Sequence, residues 1–476
     1  MTYVRKKGRR FWLPAGLSIL AAAVVATVWV TVAAGGSSKS TASTIKIAIL
    51  SDCQGAFASN YEQDIGGAIS ALAQYAGVKP KNPNKPSAGW TGGKIGGHPL
   101  KLVGIGCSND KADTAIKETR RLMEQLGADL MIGPLSGDES VAVANYAKQH
   151  RNKTFVNGTA GAWDTTAAVK APNFFRFNGD GIQWNAGIGD LAYKKLHWRK
   201  AAIIMDDYSF GYASGAGMIA DFCAAGGNIV KRVFPPLNST DFSSFARQLP
   251  APDKVDGYFW AVGGTGTIPS LKAYEQAYGK LDPKKWIGNL FFSFLGADKT
   301  VAPKVVGSYI GGFGTGPGLK TAQAKAYESK VAAIYPGLNG GNYADGFVYN
   351  YYNAAWALIQ GLQKSGGQLG AKLDAAMPRT LRAGYQVSNG GLVKLDSRRQ
   401  AIQDQYELQL VKNADGSVGP VVVAYVPGVD QSFGGLFKPS SPPPGRVQPP
   451  CKKLKTPWQG KIKVVKNGVI TNQILK

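Results

Sequence analysis

Residues 44–76, TIKIAILSDCQGAFASNYEQDIGGAISALAQYA, decide how the chain is read. Ile45, Ile47, Ala48, Ile49 and Leu50 form an apolar run of strand length, interrupted by Lys46. Such a run suits a strand buried on both faces of a parallel sheet. Residues 51–60 are small and polar and predict a loop. From 62 to 76, Ile65, Ala68, Ile69, Ala71, Leu72 and Tyr75 recur at helical spacing, which predicts an amphipathic helix. Strand, loop and helix are the first half of a βαβ unit. Ligands of open α/β sheets sit beyond the carboxyl ends of the strands, so this loop points at a binding site.

The pattern repeats. Residues 77–98, rich in Pro, Gly, Asn and Lys, predict a long surface loop. Strands are expected over 99–106, 128–132 and 154–156, with helices over 113–125 and 139–149. A second series follows, with strands over 173–177, 200–205, 229–234, 257–262 and 286–292. Helices run up to 193 and over 215–225 and 268–278, and a short one over 241–249 can be capped by Ser239 or Thr240. Alternation at this spacing argues for an α/β chain with two doubly wound parallel-sheet lobes and a cleft between them. Helices are expected over 321–333 and 343–364, and the aromatics of the latter read as core. Strands follow over 405–412 and 421–425. A proline-rich segment then leads to a hairpin over 461–475, turning at Lys466, Asn467 and Gly468.

The chain has 476 residues, 44% hydrophobic and 18% charged, which is ordinary for a globular protein. Its net charge of +25 is unevenly placed. Arg5, Lys6, Lys7, Arg9 and Arg10 lie at one end, and nine basic residues with no acid follow Asp430 at the other. A basic leader and a solvated tail account for the excess without a nucleic-acid partner. Residues 11–38 carry no charge, and 11–34 are long enough to cross a bilayer, which takes roughly 20 residues. Two readings stay open: a membrane anchor, or a signal peptide cleaved after Val32, Ala33 and Ala34. Both place the remainder outside the cytoplasm.

Four cysteines agree with an oxidising compartment. Cys53 and Cys107 each follow or end a strand. If those strands are neighbours, both thiols emerge at one sheet edge within disulfide reach. Cys223 and Cys451 would then pair and fasten the tail to the body; other pairings, or free buried thiols, remain open. With three histidines and no CxxC, neither a zinc site nor another cofactor is indicated.

Polar and aromatic residues recur in loops after strands: Gln54 and Phe57, Ser136 and Gly137, Thr159 and Ala160, Asp180, Tyr208 and Phe210, Thr265, and Phe291. Hydroxyls and free N–H groups at helix starts can hold a carboxylate, an acid can hold an ammonium, and aromatics can cover an apolar body. Catalytic signals are weak. The serine of Gly211-Tyr212-Ala213-Ser214-Gly215 falls one place late for a nucleophile elbow, and the glycine-rich runs miss phosphate-loop and dinucleotide spacing. A binding role, not an enzyme, is expected.

Over residues 44 to about 430 the chain resembles the type I periplasmic binding proteins of the branched-chain amino-acid class. The resemblance rests on KIAIL with a Gly-Ala-Phe loop, Ile132-Gly133-Pro134 with Ser136, and Phe175-Arg176. Asp207-Tyr208-Ser209-Phe210-Gly211 and Ser239-Thr240-Asp241-Phe242 continue it. It implies two lobes joined by a three-strand hinge that close on a solute and deliver it to an ABC permease. A membrane-anchored sensor or receptor with the same fold is the alternative. The implied division is 44–177 and 313–393 for the first lobe, and 178–312 and 394–432 for the second. Residues 1–43 form the leader or anchor with its linker, and 433–476 the tail. By this resemblance Ser136 and Thr159 hold a ligand carboxylate, and Asp180 and Phe210 stand at the positions of a second-lobe acid and aromatic. Gln54 to Phe57 face the ligand. Thr265 falls where the family often has an aromatic. The last ammonium-binding acid falls near Leu290 or Phe291, where this chain has no acid, which permits a more apolar solute than an amino acid.

Overall fold

The structure, a computed structural model, describes residues 42–382, 384–438 and 440–475. The apolar segment near the amino end lies outside them. Among the described residues no helix is long and apolar enough to cross a membrane.

Strand Ile45–Asp52 alternates its side chains between two cores. Ile45, Ile47 and Ile49 pack with Ile65, Ile69 and Leu72 of helix Tyr61–Ala76 and with Val348 and Leu358 of helix Gly346–Lys364. Ala48 and Leu50 pack with Ala115, Leu122, Val143 and Ala147 on the other face. Both faces are dry, hence the near-continuous apolar run. Lys46 is exposed, and its N–H donates to Asp129. A Cβ at Gly67 would stand 2.2 Å from the Val348 carbonyl oxygen, so glycine lets the two helices cross closely. The sheet has six strands in the order Lys94–Ile95, His98–Ser108, Ile45–Asp52, Leu130–Ile132, Thr154–Val156 and Phe174–Phe175.

The second sheet begins with five parallel strands: Asn228–Val233, Lys200–Met205, Gly257–Ala261, Trp286–Gly288 and Tyr309–Gly311. It then turns antiparallel through Ala401–Lys412, Val418–Val429, Lys463–Lys466 and Val469–Ile474. The purely parallel expectation therefore holds for part of this sheet. Tight turns at 413–417 and 467–468 join two of these antiparallel pairs. The proline-rich tail is not a solvated extension. Its hairpin adds the last two strands, Phe433, Phe437 and Trp458 are buried beside Ile182 and Val426, and the Trp458 Nε1 donates to Asp221 at 2.8 Å.

Three other local expectations change. Residues 77–98 contain a small ladder, Val78–Pro80 with Trp90–Gly92, because Trp90 is buried against the first core. Strand 286–292 stops at Gly288. The Asn289 side chain accepts the Phe291 N–H at 3.1 Å and starts the 3₁₀ segment Leu290–Ala297. The helix expected over 241–249 shrinks to Ser243–Ala246, and Asp241, not Ser239 or Thr240, accepts the Ser243 N–H.

The chain crosses between the sheets three times: after Phe174–Phe175, after Tyr309–Gly311 and before Ala401–Lys412. Arg176 sits fully buried in the first crossing, and its backbone bonds Arg399 and Ala401 of the third. Its guanidinium donates to the Gln400 side chain, the Ala162 carbonyl (2.6 Å), Thr166 (3.0 Å) and Asp180 (3.4 Å). Disulfides Cys53–Cys107 and Cys223–Cys451 are formed, the first between neighbouring strands in which Ser51 pairs with Cys107.

Candidate functional site

Carboxyl ends of strands from both sheets meet around a narrow cavity. Helix Gly137–Gln149 presents its first turn there. Ser136, its N-cap, is 2% exposed, and its hydroxyl has no hydrogen-bond partner among the described residues. The Ser136 side chain makes no capping hydrogen bond to its own helix. The Ser136 hydroxyl is thereby left to the cavity. Helix starts carry N–H groups without intrahelical partners and a partial positive charge. Thr159 adds a hydroxyl that donates to Asp64 at 3.3 Å.

The remaining wall is apolar. Phe57 and Leu135 come from the first-sheet side, and Tyr208, Phe210, Leu290 and Phe291 from the second. Trp184 and Phe313, from two crossings, and Phe347, at the start of helix Gly346–Lys364, complete it. The rings pack on one another: Phe57 stacks on Phe291 with centroids 5.4 Å apart, and Trp184 meets Phe313 edge-on at 4.8 Å. Trp184 Nε1 has no partner among the described residues. The lining residues include no charged side chain.

Behind the loop that carries Phe57 lie three buried acids, Asp52, Asp110 and Glu139. Asp110 accepts the Ala56 N–H, and Ser108 donates to Glu139. Burial, reinforced by the neighbouring carboxyls, pushes Asp52 well up. Burial likewise pushes Glu139 up to about 7, although hydrogen bonds from Asp52 and Ser108 oppose it.

Of the residues expected at the site, Phe57, Ser136, Gly137, Thr159, Tyr208, Phe210 and Phe291 line this cavity. Gln54 does not: it is exposed, its N–H donating to Ser108. Ala160 is buried outside the wall, its carbonyl taken by Asn157. Asp180 is spent in the hinge on Arg176, the Gln431 amide and the Gln183 N–H; burial raises its carboxyl and Arg176 opposes that rise. Thr265 lies in a separate, outer hollow. Leu135, Gly161, Trp184, Leu290, Phe313 and Phe347 were not among the candidates. The rule of residues following a strand reaches Phe313, two places beyond Gly311. Nothing in the helical spacing separates Phe347 from the core aromatics after it.

Two sheet-bearing halves, three crossings and a cavity between opposed strand ends define a cleft-type solute binder. The chain belongs to the periplasmic binding protein family, whose sequence profile matches residues 44–416. No curated protein matches it. Among solved structures it is similar to an ABC transporter substrate-binding protein from Sphaerobacter thermophilus, with 22% identity and a TM-score of 0.66 over 82% of this chain and 99% of that one. It is also similar to a solute-binding protein of an ABC transporter from R. palustris in complex with benzoate, with 22% identity and a TM-score of 0.64 over 81% and 97%. A leucine-binding protein from Thermotoga maritima matches with 17% identity and a TM-score of 0.61 over 79% and 97%.

Proposed function

We propose that this protein is an extracytoplasmic solute-binding protein that captures a small monocarboxylate with a one-ring apolar body and passes it to an ABC importer. The observation that carries the reading is the unpartnered Ser136 hydroxyl at a helix start, set in a wall of aromatic and aliphatic side chains without a charge. A carboxylate takes the Ser136 hydroxyl and the N–H groups at the helix start of Gly137, and the Thr159 hydroxyl joins them by turning from Asp64. Tyr208, Phe210 and Phe291 cover the ring from the other side. An α-amino acid is the poorer solute, because its ammonium would meet Phe291 and Leu290 where it needs an acid, and desolvated ammonium without a partner is costly. The benzoate held by the R. palustris protein is of the class proposed.

No bond is made or broken. Solute bound to the first lobe (residues 44–177 and 313–393) gains contacts from the second (178–312 and 394–432) on closure, so it stabilises the closed form by that difference. Thermal shift and calorimetry with benzoate, 4-hydroxybenzoate, leucine and phenylalanine test the reading. Benzoates should raise the melting temperature and amino acids should not. Binding of leucine but no benzoate overturns it.

A further inference from the structure

Beyond the Phe291 ring lies a second, larger hollow. Its polar lining is Ser59, Asn60, Gln63, Thr265, Thr267 and Asn339, all neutral. Ser59 and Thr265 are exposed, so this hollow opens to solvent. Phe291 is the one residue shared by the inner cavity and the outer hollow.

Its position is tightly built. The Asn289 side chain holds the Phe291 N–H, and the ring stacks on Phe57 with an interplanar angle of 12°. The ring also lies on Gly263, where a Cβ would meet it at 2.3 Å. Gly264, at φ +54, brings the second-sheet loop against the first: a Cβ there would stand 2.6 Å from the Ala56 carbonyl oxygen. Two adjacent glycines thus let one phenylalanine fill the gap between opposed loops.

We propose that Phe291 is a partition between an inner aromatic room and an outer, neutral hydrogen-bonding room, and that it sets the length of solute the protein accepts. With the ring in place the inner room is limited to a one-ring solute. Without it, the two rooms join and hold an arylcarboxylate that carries an uncharged polar extension, whose hydroxyl, ether or amide the outer side chains can hydrogen-bond. The solute part of this inference rests on the carboxylate reading above.

The test compares wild type with Phe291→Ala and the milder Phe291→Leu, each first confirmed as folded by its melting transition. Affinities are measured for benzoate and for benzoates bearing a 2-hydroxyethoxy group at ring position 3 or 4. The ratio of extended to plain benzoate affinity should rise at least tenfold in Phe291→Ala and less in Phe291→Leu; an unchanged ratio overturns the length limit. A second measurement needs no solute. Acrylamide quenching of Trp184, 2% exposed in the inner wall, is taken as the difference between each protein and its Trp184→Phe counterpart. It should at least double in Phe291→Ala, and no change overturns the partition. If quenching rises while neither benzoate binds either protein, the partition stands and the proposed solute class falls.

Discussion

The Asp138 carboxylate accepts the backbone N–H of Ser209 at 3.1 Å, joining the first turn of helix Gly137–Gln149 to the first turn of helix Ser209–Ala225. The bond spans the cleft beside the cavity, where a Cβ at Gly137 would stand 2.9 Å from the Phe210 Cβ. It exists only while the halves are together, so it belongs to the closed form. Asp138→Ala should weaken benzoate binding about fivefold, from loss of about 1 kcal/mol. Small-angle scattering of the solute-bound variant should show a larger share of open molecules. Equal affinity and equal scattering would remove this bond from the closure energy.

Ser136→Ala separates binding from stability. The hydroxyl caps nothing in its own helix, and it is buried without a partner among the described residues. Its removal should leave the melting temperature of the free protein unchanged or slightly higher. Benzoate affinity should fall about tenfold, the loss of a charge-assisted hydrogen bond. A drop in stability with unchanged affinity would make Ser136 a structural residue.

Cys53→Ser tests the loop. The Cys53–Cys107 bond closes a segment of 54 residues, a constraint worth about 2–4 kcal/mol. The melting temperature should fall, and benzoate binding should weaken because Ala56 and Phe57 lose a fixed support. Unchanged affinity at a temperature where the variant is folded would show that Asp110, which accepts the Ala56 N–H, holds the loop alone.

Stability should decline as pH rises from about 5 to about 8. Burial pushes Glu139, Asp221 and Asp345 up to about 7. An acid raised in the folded state holds more protons folded than unfolded between its two pKa values, so its contribution is complete below the unfolded value and is lost through the folded one. Melting temperatures across that range should fall, and Glu139→Gln should flatten the decline, because the amide still accepts from Ser108 without carrying charge. A flat or rising wild-type profile would refute the raised acids.

How far the sequence could be read depended on the kind of signal. Residues 44–76 were legible because alternation in the strand and helical spacing after it each bury a face, and burial leaves a pattern. The place of Ser136 and Gly137 at a helix start was legible because a helix start after a strand is a local event. Leu290 to Phe292 was misread, because an apolar run looks like a strand whether or not Asn289 folds back to accept the Phe291 N–H. Asp180 was misplaced for a different reason. An acid after a strand can serve a ligand or a neighbouring charge, and only the fold brings Gln431, more than two hundred residues away, to its oxygen. The tail's fate was written in Phe433, Phe437 and Trp458, aromatics too large to leave in water, but its lysines obscured them.

Arg176 has a consequence for how the halves can move. Its guanidinium is sealed from water and divided among groups of its own crossing, the segment around Ala162 and Thr166, and the third crossing. Sliding one half past the other would strip those partners one by one and leave a bare cation in a dry place, at a cost of several kcal/mol. One buried charge thus ties the first and third crossings of the chain into a single joint.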